Sequence, residues 1–223
     1  MTSVWNHPAR PYVAPFAAFL LLLAVGPRLP LGAWEQPLRV VLLTGILWAC
    51  SRGVIRWRPN LPLASVLVGA AVFALWVAPD SLWPGYRDHW LFQNRVLGEL
   101  KPTFPENLRG DWMALSFRSL RAVILVPVIE ELFWRAWLMR WLVRGDFASV
   151  PLGAYDRRAF WLTALLFASE HGPYWDVGLL AGAAHNAWMI RTRSLADCIL
   201  AHAVTNALLS AYVIWGGKWA YWM

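Results

Sequence analysis

The sequence predicts an all-α membrane protein, a polytopic bundle of seven to eight transmembrane helices. Hydrophobic residues make up 59% of the 223 residues and charged residues only 15%, and the mean hydropathy is +0.44. Seven apolar runs follow one another along the chain, and 17 tryptophans fit the aromatic belts found at both membrane interfaces. This composition leaves no room for a separate soluble domain.

The apolar runs set the order of the predicted helices. Several are shorter than the roughly 20 residues that a straight transmembrane helix needs, so we expect helices that extend into their flanks, tilt or stop part-way. The first run follows a basic residue, as in a signal peptide, but no small-residue cleavage site follows it, and we interpret it as a retained helix. The runs cover residues 12–25, 38–50, 61–79, 112–143, 159–171, 176–190 and 195–215.

Residues 83–100 decide between seven and eight helices. They mix apolar residues such as Trp90 and Phe92 with charged ones such as Arg87 and Asp88. This pattern fits either an amphipathic helix at the membrane interface or an eighth span. We predict one integrated membrane domain in three parts: N-terminal helices with this interfacial segment in 1–111, a catalytic helical core in 112–215 and a short tail in 216–223.

The net charge of +7 comes mainly from arginines at the ends of the apolar runs. Since the basic residues form no continuous patch among polar ones, we predict no nucleic-acid partner. With seven helices, the basic loops after the second, fourth and sixth runs fall on one side, which the positive-inside rule assigns to the cytoplasm. Cys50 and Cys198 lie in apolar runs, where we interpret them as small hydrophobic residues rather than a disulfide or a nucleophile.

Two adjacent carboxylates and an arginine interrupt the fourth run. Glu131 and Arg135 are four residues apart with the acid first, so they can form an ion pair along one helix face. Glu130 lies about 100° further round the helix, and its partner must come from another segment. Ionisable groups at this depth cost about 2.5–3.5 kcal/mol each on insertion scales, which makes them candidates for function.

Two later runs hold histidines that could reach Glu130. His171 follows Phe167 by four residues and precedes a Gly-Pro pair that should end the helix within the membrane. His202 and Asn206 share one face of the last helix. At about 1.5 Å per residue, these positions all fall near the middle of the bilayer. A broken helix at that depth needs protein or water around it, so we predict a hydrated cavity that opens within the bilayer.

Three short motifs carry a family resemblance. The Glu-Glu-x-x-x-Arg, Phe-x-x-x-His and His-x-x-x-Asn elements, in that order and in membrane-type helices, resemble the CAAX protease and bacteriocin-processing family of intramembrane endopeptidases, also called CPBP or Abi. The resemblance covers about residues 118–212 and includes the Arg-Thr-Arg-Ser-Leu turn at 191–195. The Val-Pro-Val-Ile-Glu-Glu-Leu-Phe-Trp-Arg stretch is similar to the bacterial subgroup associated with exosortase systems, which implies a location in the bacterial inner (cytoplasmic) membrane.

Peptide hydrolysis needs an activated water, a group that stabilises the oxyanion and a proton donor for the leaving amine. Glu130 and His171 are the expected pair for the water, with Glu130 as general base. His202 and Asn206, one turn apart, can both aim donors at one oxygen and are the expected oxyanion hole. The resemblance implies the same roles, without a metal, and a membrane-associated protein or peptide substrate that the family name implies to be prenylated.

Three further residues are expected to support the site. Glu131 and Arg135 form the ion pair, although the resemblance also allows Glu131 to share the role of base. Phe167 is expected to pack or to form part of the pocket wall. Each catalytic candidate also has a structural interpretation, since His202 and Asn206 could join helices by hydrogen bonds.

Zinc is the alternative to a metal-free site. A catalytic zinc is commonly held by three nitrogen or oxygen ligands. However, the sequence has no His-Glu-x-x-His, and the Asn206 amide suits a site without a metal, so we expect no metal and no other cofactor. The residues that would supply zinc ligands are Glu130, Glu131, His171 and His202.

Other functions and another polar pair compete with this prediction. A non-hydrolytic membrane partner or escort of a protein-sorting or export system would use the polar cluster as a binding site or structural contact. A small transporter ranks lower because the sequence shows no internal repeat. His185 and Asn186 match none of the three motifs and lie near a basic helix end, so we assign them no catalytic role. The substrate's identity and the oligomeric state stay open.

Overall fold

The computed structural model describes residues 7–222 and shows an all-α bundle. Its seven helices are α1 Arg10–Val25, α2 Glu35–Ser51, α3 Pro62–Leu82, α4 Trp112–Val143, α5 Arg157–Ser169, α6 Trp175–Thr192 and α7 Leu195–Gly216. In the described residues, α3, α4 and α7 are long and apolar enough to cross a membrane. The chain is an integral membrane protein with the predicted fold class. Residues 1–6 and Met223, the outer ends of the predicted N-terminal part and tail, lie outside the described residues.

Residues 83–100 form neither the predicted interfacial helix nor an eighth span. Their only helical piece is a short 3₁₀ turn, Tyr86–Asp88. Arg87 is buried and forms ion pairs with Asp80 at the end of α3 and Asp176 at the start of α6. The prediction was wrong because the charged residues of this segment find protein partners, and the segment folds as a loop over one end of the bundle.

Helix α4 is 32 residues long and departs from regular α-helical geometry. Two π-helical segments, Arg121–Leu125 and Leu132–Leu138, flank the α-helical segment Val126–Glu131. Pro127 directly follows the start of that segment and has no N–H to donate, which favours a wider turn before it. Both carboxylates at the end of the middle segment are buried inside the bundle.

Helices α3 and α7 run parallel and pack closely against each other. Asp197, in the first turn of α7, accepts hydrogen bonds from the backbone N–H groups of Asn60 (2.6 Å) and Leu61 (2.8 Å), just before α3 begins. Further along, a Cβ on Gly69 would lie 2.3 Å from the carbonyl oxygen of Ala201, so glycine is what lets the two backbones approach. These contacts fix the position of α7 along α3, and with it the position of the predicted oxyanion-hole residues on α7.

Helices α5 and α6 form a hairpin. Helix α5 ends at Ser169 and a 3₁₀ turn, Gly172–Tyr174, leads into α6, so the predicted break at the Gly-Pro pair is confirmed. A Cβ on Gly182 would lie 3.2 Å from the α5 backbone, which shows how closely the two helices pack. Arg87 donates a 2.6 Å hydrogen bond to the carbonyl oxygen of Pro173 and connects this turn to the preceding loop.

The three basic loops lie at the same end of the bundle, as the positive-inside prediction requires. The Asn60 side chain before α3 donates to the carbonyl oxygen of Thr192 at the end of α6 over 3.2 Å. In the loop after α4, a Cβ on Gly153 would lie 2.5 Å from the carbonyl oxygen of Met189. The loops after α2, α4 and α6 are therefore neighbours. Their location on the cytoplasmic side stays a prediction.

The C-terminal residues pack against the opposite end of the bundle. The Thr103 N–H donates to the carbonyl oxygen of Trp222 over 3.0 Å. The Trp222 ring is buried against Phe104, with ring centroids 5.4 Å apart. The Tyr221 hydroxyl donates to Asp80 over 2.7 Å. The predicted tail is thus part of the packed structure at this end.

Candidate active site

One cavity of about 240 Å³ brings the predicted site residues together. Glu130 on α4, His171 after α5, and His202 and Asn206 on α7 all line it, and Phe167 forms part of its wall. A water molecule takes up about 30 Å³ in the liquid, so the cavity has space for several. Four polar side chains from three parts of the chain therefore face one space that can hold water.

The cavity also has an apolar side that reaches the outside of the bundle. Leu20 and Leu23 on α1 line the cavity, and they are 40% and 39% exposed. Val72 and Trp76 on α3 add further apolar lining. In a bilayer the exposed leucines would contact lipid chains, so an apolar segment of a membrane-associated molecule can approach the polar side chains from within the membrane.

Glu131 is the centre of a buried polar network. Its Oε1 accepts hydrogen bonds from Arg135 Nη1 at 3.1 Å and from His202 Nδ1 at 2.9 Å. Arg135 also donates to Asn186 Oδ1 at 3.1 Å and to the carbonyl oxygen of Gly182 at 3.3 Å. The predicted ion pair between Glu131 and Arg135 is confirmed. The hydrogen bonds of Arg135 connect α4 to α6, and the hydrogen bond that Glu131 accepts from His202 connects α4 to α7.

Glu130 has a different environment from its neighbour. Its side chain is almost fully buried, and Oε2 accepts no hydrogen bond from the described residues. His202 Nε2 lies 4.0 Å from this oxygen, which is longer than a hydrogen bond. A buried carboxylate oxygen without a donor is costly, so a water or a substrate group in the cavity is its natural partner.

The tautomer of His171 follows from its hydrogen bond. Nδ1 lies 2.8 Å from the carbonyl oxygen of Phe167, which can only accept, so Nδ1 bears the hydrogen. In the neutral ring, Nε2 is then an acceptor. The Trp76 ring lies edge-on at 5.2 Å between centroids and helps to fix the imidazole. His171 can therefore accept a hydrogen bond from a water in the cavity.

The two predicted oxyanion-hole residues both make hydrogen bonds to the protein. Asn206 Nδ2 donates to the carbonyl oxygen of Ala122 at 2.8 Å, which leaves the second amide hydrogen available. Because His202 donates from Nδ1 to Glu131, its Nε2 can donate only when the ring is protonated. Any oxyanion hole formed here thus uses one amide hydrogen and an imidazolium.

His185 and Asn186, to which the sequence analysis assigned no role, also belong to the site. His185 lines the cavity with its ring centroid 5.2 Å from that of His202, and its Nε2 has no partner in the described part of the chain. Asn186 orients Arg135 through the hydrogen bond described above. One feature of the sequence indicates their position. They follow Gly182 on α6 by three and four residues, on the same helix face, and small residues in membrane helices mark faces that pack closely against other helices.

Glu131, His185 and His202 place potential ligand atoms within 4.8 Å of one another. This set shares only two residues with the zinc ligands considered from the sequence. Arg135 Nη1 lies 3.1 Å from Glu131, and His202 Nδ1 already donates to the same carboxylate. Zinc requires deprotonated donors at about 2.0–2.2 Å, and a neighbouring guanidinium opposes a divalent cation. The arrangement fits a hydrogen-bonded network better than a zinc site.

Comparison with models of known protein families gives a match. The family model for type II CAAX prenyl endopeptidase Rce1-like proteins matches residues 112–208, a segment that holds all the predicted site residues. Neither a curated protein nor a solved structure matches the chain. The resemblance to the CAAX protease family is confirmed over this segment, and the narrower resemblance to the exosortase-associated subgroup stays a prediction.

Proposed function

We propose that this chain, whose residues 112–208 belong to the CAAX protease family, is an intramembrane endopeptidase that cuts a membrane-associated protein or peptide. One observation carries the proposal. Glu130, whose Oε2 has no donor within the described part of the chain, shares a cavity with His171, His202 and Asn206. The family name supports a prenylated substrate, and the cavity's apolar side suits a lipid chain. The bacterial inner membrane is the proposed location.

Glu130 is the proposed general base. A water that donates one hydrogen to Glu130 Oε2 and the other to His171 Nε2 is oriented by both groups and presents its oxygen to the substrate. As that oxygen bonds to the carbonyl carbon, Glu130 takes the first proton. A positioned base of this kind typically contributes about 10²–10⁴-fold to the rate.

His202 and Asn206 are the proposed donors to the oxyanion. In the proposed mechanism His202 acts as an imidazolium, with carboxylate oxygens of Glu131 and Glu130 at 2.9 and 4.0 Å from its two ring nitrogens. The imidazolium then donates from Nε2 to the oxygen, and Asn206 adds its free amide hydrogen. Removal of one such donor typically costs about 10²–10³-fold in kcat.

Collapse of the tetrahedral intermediate completes the reaction. The carbon–nitrogen bond breaks, and the proton held by Glu130 passes to the leaving nitrogen. Glu130 returns to its carboxylate form, one water is consumed, and the products are a new carboxyl group and a new amine. The balance needs no oxidant, reductant or metal, and we assign no cofactor to the site.

Glu131, Arg135 and Phe167 are proposed to position the reacting groups. Glu131 holds the His202 ring through Nδ1, and Arg135 fixes Glu131 from the opposite side. Phe167 accepts the His171 hydrogen bond through its carbonyl oxygen, and its ring lies 4.7 Å from the Arg135 guanidinium carbon. None of the three needs to exchange a proton with the substrate.

The test compares membranes that contain the wild type, Glu130→Gln or the control Glu99→Gln, an exposed carboxylate outside the cavity. New peptide termini are identified by mass spectrometry. Termini present with the wild type and the control should fall by about 10²–10⁴-fold with Glu130→Gln, while unfolding temperature shows that the variant is folded. Equal processing by Glu130→Gln would overturn the proposal and favour the non-hydrolytic partner or escort.

A further inference from the structure

A second cavity, of about 460 Å³, lies at the end of the bundle where the three basic loops meet. Parts of these loops and the adjoining ends of α4 and α7 form its walls. Among the described residues, its lining holds four arginines and no carboxylate. The four are Arg56 and Arg58 after α2, Arg140 in the last turns of α4, and Arg193 between α6 and α7. The active-site cavity shares none of its lining residues.

The positive charge of this cavity has no counter-ion in residues 7–222. None of its four arginines takes part in an ion pair within that range. Asp197, in the first turn of α7, does not line the cavity, and both of its oxygens already accept hydrogen bonds from residues around the start of α3. Because like charges gathered in one concave space repel one another, an anion bound among them would be stabilised.

Arg140 is the fixed cation of this cavity. Its Nε donates to the carbonyl oxygen of Val150 over 2.6 Å, and Nη1 donates to that of Ala136 over 2.9 Å. Nη2 donates to a third carbonyl oxygen, that of Ala148, over 3.4 Å. These carbonyl groups orient the guanidinium but carry no net charge, so its positive charge stays uncompensated. An anion would therefore meet a guanidinium that is already held in place, and little side-chain freedom would be lost on binding.

Arg193 has a backbone conformation that favours glycine. Its φ is 51°, and in the described part of the chain it is the one non-glycine residue with a positive φ. It ends α6 at the position where helices commonly place a glycine. Its side chain packs on the loop after α4, since a Cβ on Gly153 would lie 3.0 Å from Arg193 Cγ. An arginine at a strained position indicates that its side chain has a role.

Exposed tryptophans indicate that this cavity lies at the level of the lipid headgroups. Trp57, which directly follows Arg56, is 64% exposed, and Trp141, which directly follows Arg140, is 46% exposed. Tryptophan rings in membrane proteins concentrate at the membrane–water interface. The lining also includes the apolar side chains of Val54, Leu152 and Leu195. A ligand with an anionic head and an apolar body therefore suits both the position and the lining of the cavity.

We propose that this cavity binds the phosphate group of an anionic phospholipid. Arginines bind phosphate through charge-assisted hydrogen bonds, and basic pockets between membrane helices take anionic lipid headgroups. The positive-inside rule accounts for basic loops, but it does not require arginines from three distant parts of the chain to line one cavity. A free phosphate ester has the same recognising chemistry. The headgroup level and the apolar lining favour the lipid.

The test measures lipid binding by the full-length protein, purified in a non-ionic detergent. Native mass spectrometry gives the dissociation constants of two short-chain lipids. Dioctanoyl phosphatidylglycerol has a net negative charge, whereas dioctanoyl phosphatidylcholine has the same phosphate but no net charge. The wild type should bind phosphatidylglycerol about tenfold more tightly than phosphatidylcholine.

Two variants remove one charge each from the lining, and each has a matched control. Arg56→Gln and Arg193→Gly should both lower the preference for phosphatidylglycerol to about threefold or less. Glycine suits the φ of residue 193, so Arg193→Gly should fold at least as well as the wild type. Arg52→Gln and Arg191→Gln remove exposed arginines close to these positions but outside the lining, and should keep the wild-type preference. Unfolding temperatures show that each variant is folded.

The outcomes decide between a site and a general effect of charge. Equal loss of preference in the cavity variants and their controls would show that binding follows the total charge of the loops, and would overturn the site. A wild type without preference would overturn it as well. If sn-glycerol 3-phosphate displaces the lipid at equal concentration in the wild type but not in Arg193→Gly, the cavity takes a free phosphate ester and the lipid assignment is wrong. None of these measurements involves cleavage, so they are independent of the proposed endopeptidase function.

Discussion

His202 donates its Nδ1 hydrogen to Oε1 of Glu131 over 2.9 Å, inside a bundle where Glu131 has no exposed surface. This contact separates the roles of the two adjacent carboxylates. Glu131 is held by His202 and Arg135, whereas Oε2 of Glu130 accepts no hydrogen bond from any residue between 7 and 222. The proposed mechanism therefore uses Glu131 to position His202 and Glu130 to activate the water.

The first prediction concerns Glu131→Gln. Loss of the carboxylate leaves Arg135 buried and uncompensated, so the free energy of unfolding should fall by about 3–5 kcal/mol. His202 also loses the carboxylate that accepts its Nδ1 hydrogen, and kcat should fall by about 10²–10³-fold. Unfolding in detergent and cleavage assays measure the two effects.

The double variant Glu131→Gln, Arg135→Met separates the effect on stability from the effect on kcat. Removing both charges should recover much of the lost stability, because no unpaired ion stays buried. Activity should stay low, since His202 is still without its carboxylate. Recovery of activity together with stability would show that Glu131 has only a structural role.

Arg87 is predicted to position His171 through the turn that follows it. Its Nη1 donates to the carbonyl oxygen of Pro173 at 2.6 Å and to Asp176 at 2.8 Å, and Nε donates to Asp80 at 3.0 Å. Burial lowers the pKa of the Arg87 guanidinium, but the hydrogen bonds and charges of Asp176 and Asp80 outweigh this and raise its pKa above the ordinary value. The side chain is thus held in its charged form.

We expect Arg87→Gln to loosen this turn. Charged hydrogen bonds contribute about 1.5–3 kcal/mol each, so stability should fall, and amide hydrogen exchange in residues 170–176 should become faster. Because His171 moves with the turn, kcat should fall more than KM rises. Arg95→Gln is the matched control, and unchanged exchange in residues 170–176 would contradict the prediction.

Contacts between residues close in sequence could be predicted from the chain alone. The Glu131–Arg135 pair follows from helical spacing, and the end of α5 follows from the Gly-Pro pair after His171. By contrast, Arg87 and its partner Asp176 are 89 residues apart, and no local pattern specifies their contact. This is why the local pattern in residues 83–100 predicts an interfacial amphipathic helix or an eighth span, which the structure does not contain.

The same limit explains the omission of His185 and Asn186. Periodicity places them on α6 but does not say which side of α6 faces α4, since that depends on packing between helices. The hydrogen bond from Arg135 to Asn186 fixes this side in the structure. The π-helical segments of α4 likewise change where its side chains point, and an ideal 3.6-residue period does not include them.

Asp197 is predicted to affect the stability of the fold but not the cleavage rate. Its carboxylate accepts hydrogen bonds from the N–H groups of Asn60 and Leu61 and from the Ser65 hydroxyl, and so caps α3 from α7. Asp197→Ala should lower the free energy of unfolding by about 2–4 kcal/mol, since it removes the acceptor that these three donors share, among them the buried Ser65 hydroxyl. The cleavage rate per folded molecule should be close to that of the wild type below the unfolding temperature. A large loss of kcat in fully folded variant would show that Asp197 acts on the site.

The last prediction is that chelators do not reduce activity. Glu131, His185 and His202 are close enough to hold a metal ion, but Arg135 and the His202 hydrogen already occupy one oxygen of Glu131. A divalent cation at the other oxygen of Glu131, which has no hydrogen-bond partner in residues 7–222, would still lie beside the Arg135 guanidinium, whose charge opposes it. Treatment with EDTA or 1,10-phenanthroline should therefore leave kcat/KM unchanged, and elemental analysis of the active protein should find no stoichiometric zinc. Loss of activity that zinc restores, together with loss of bound zinc in His185→Ala, would assign this cluster to a metal and make Glu130 the partner of a metal-bound water.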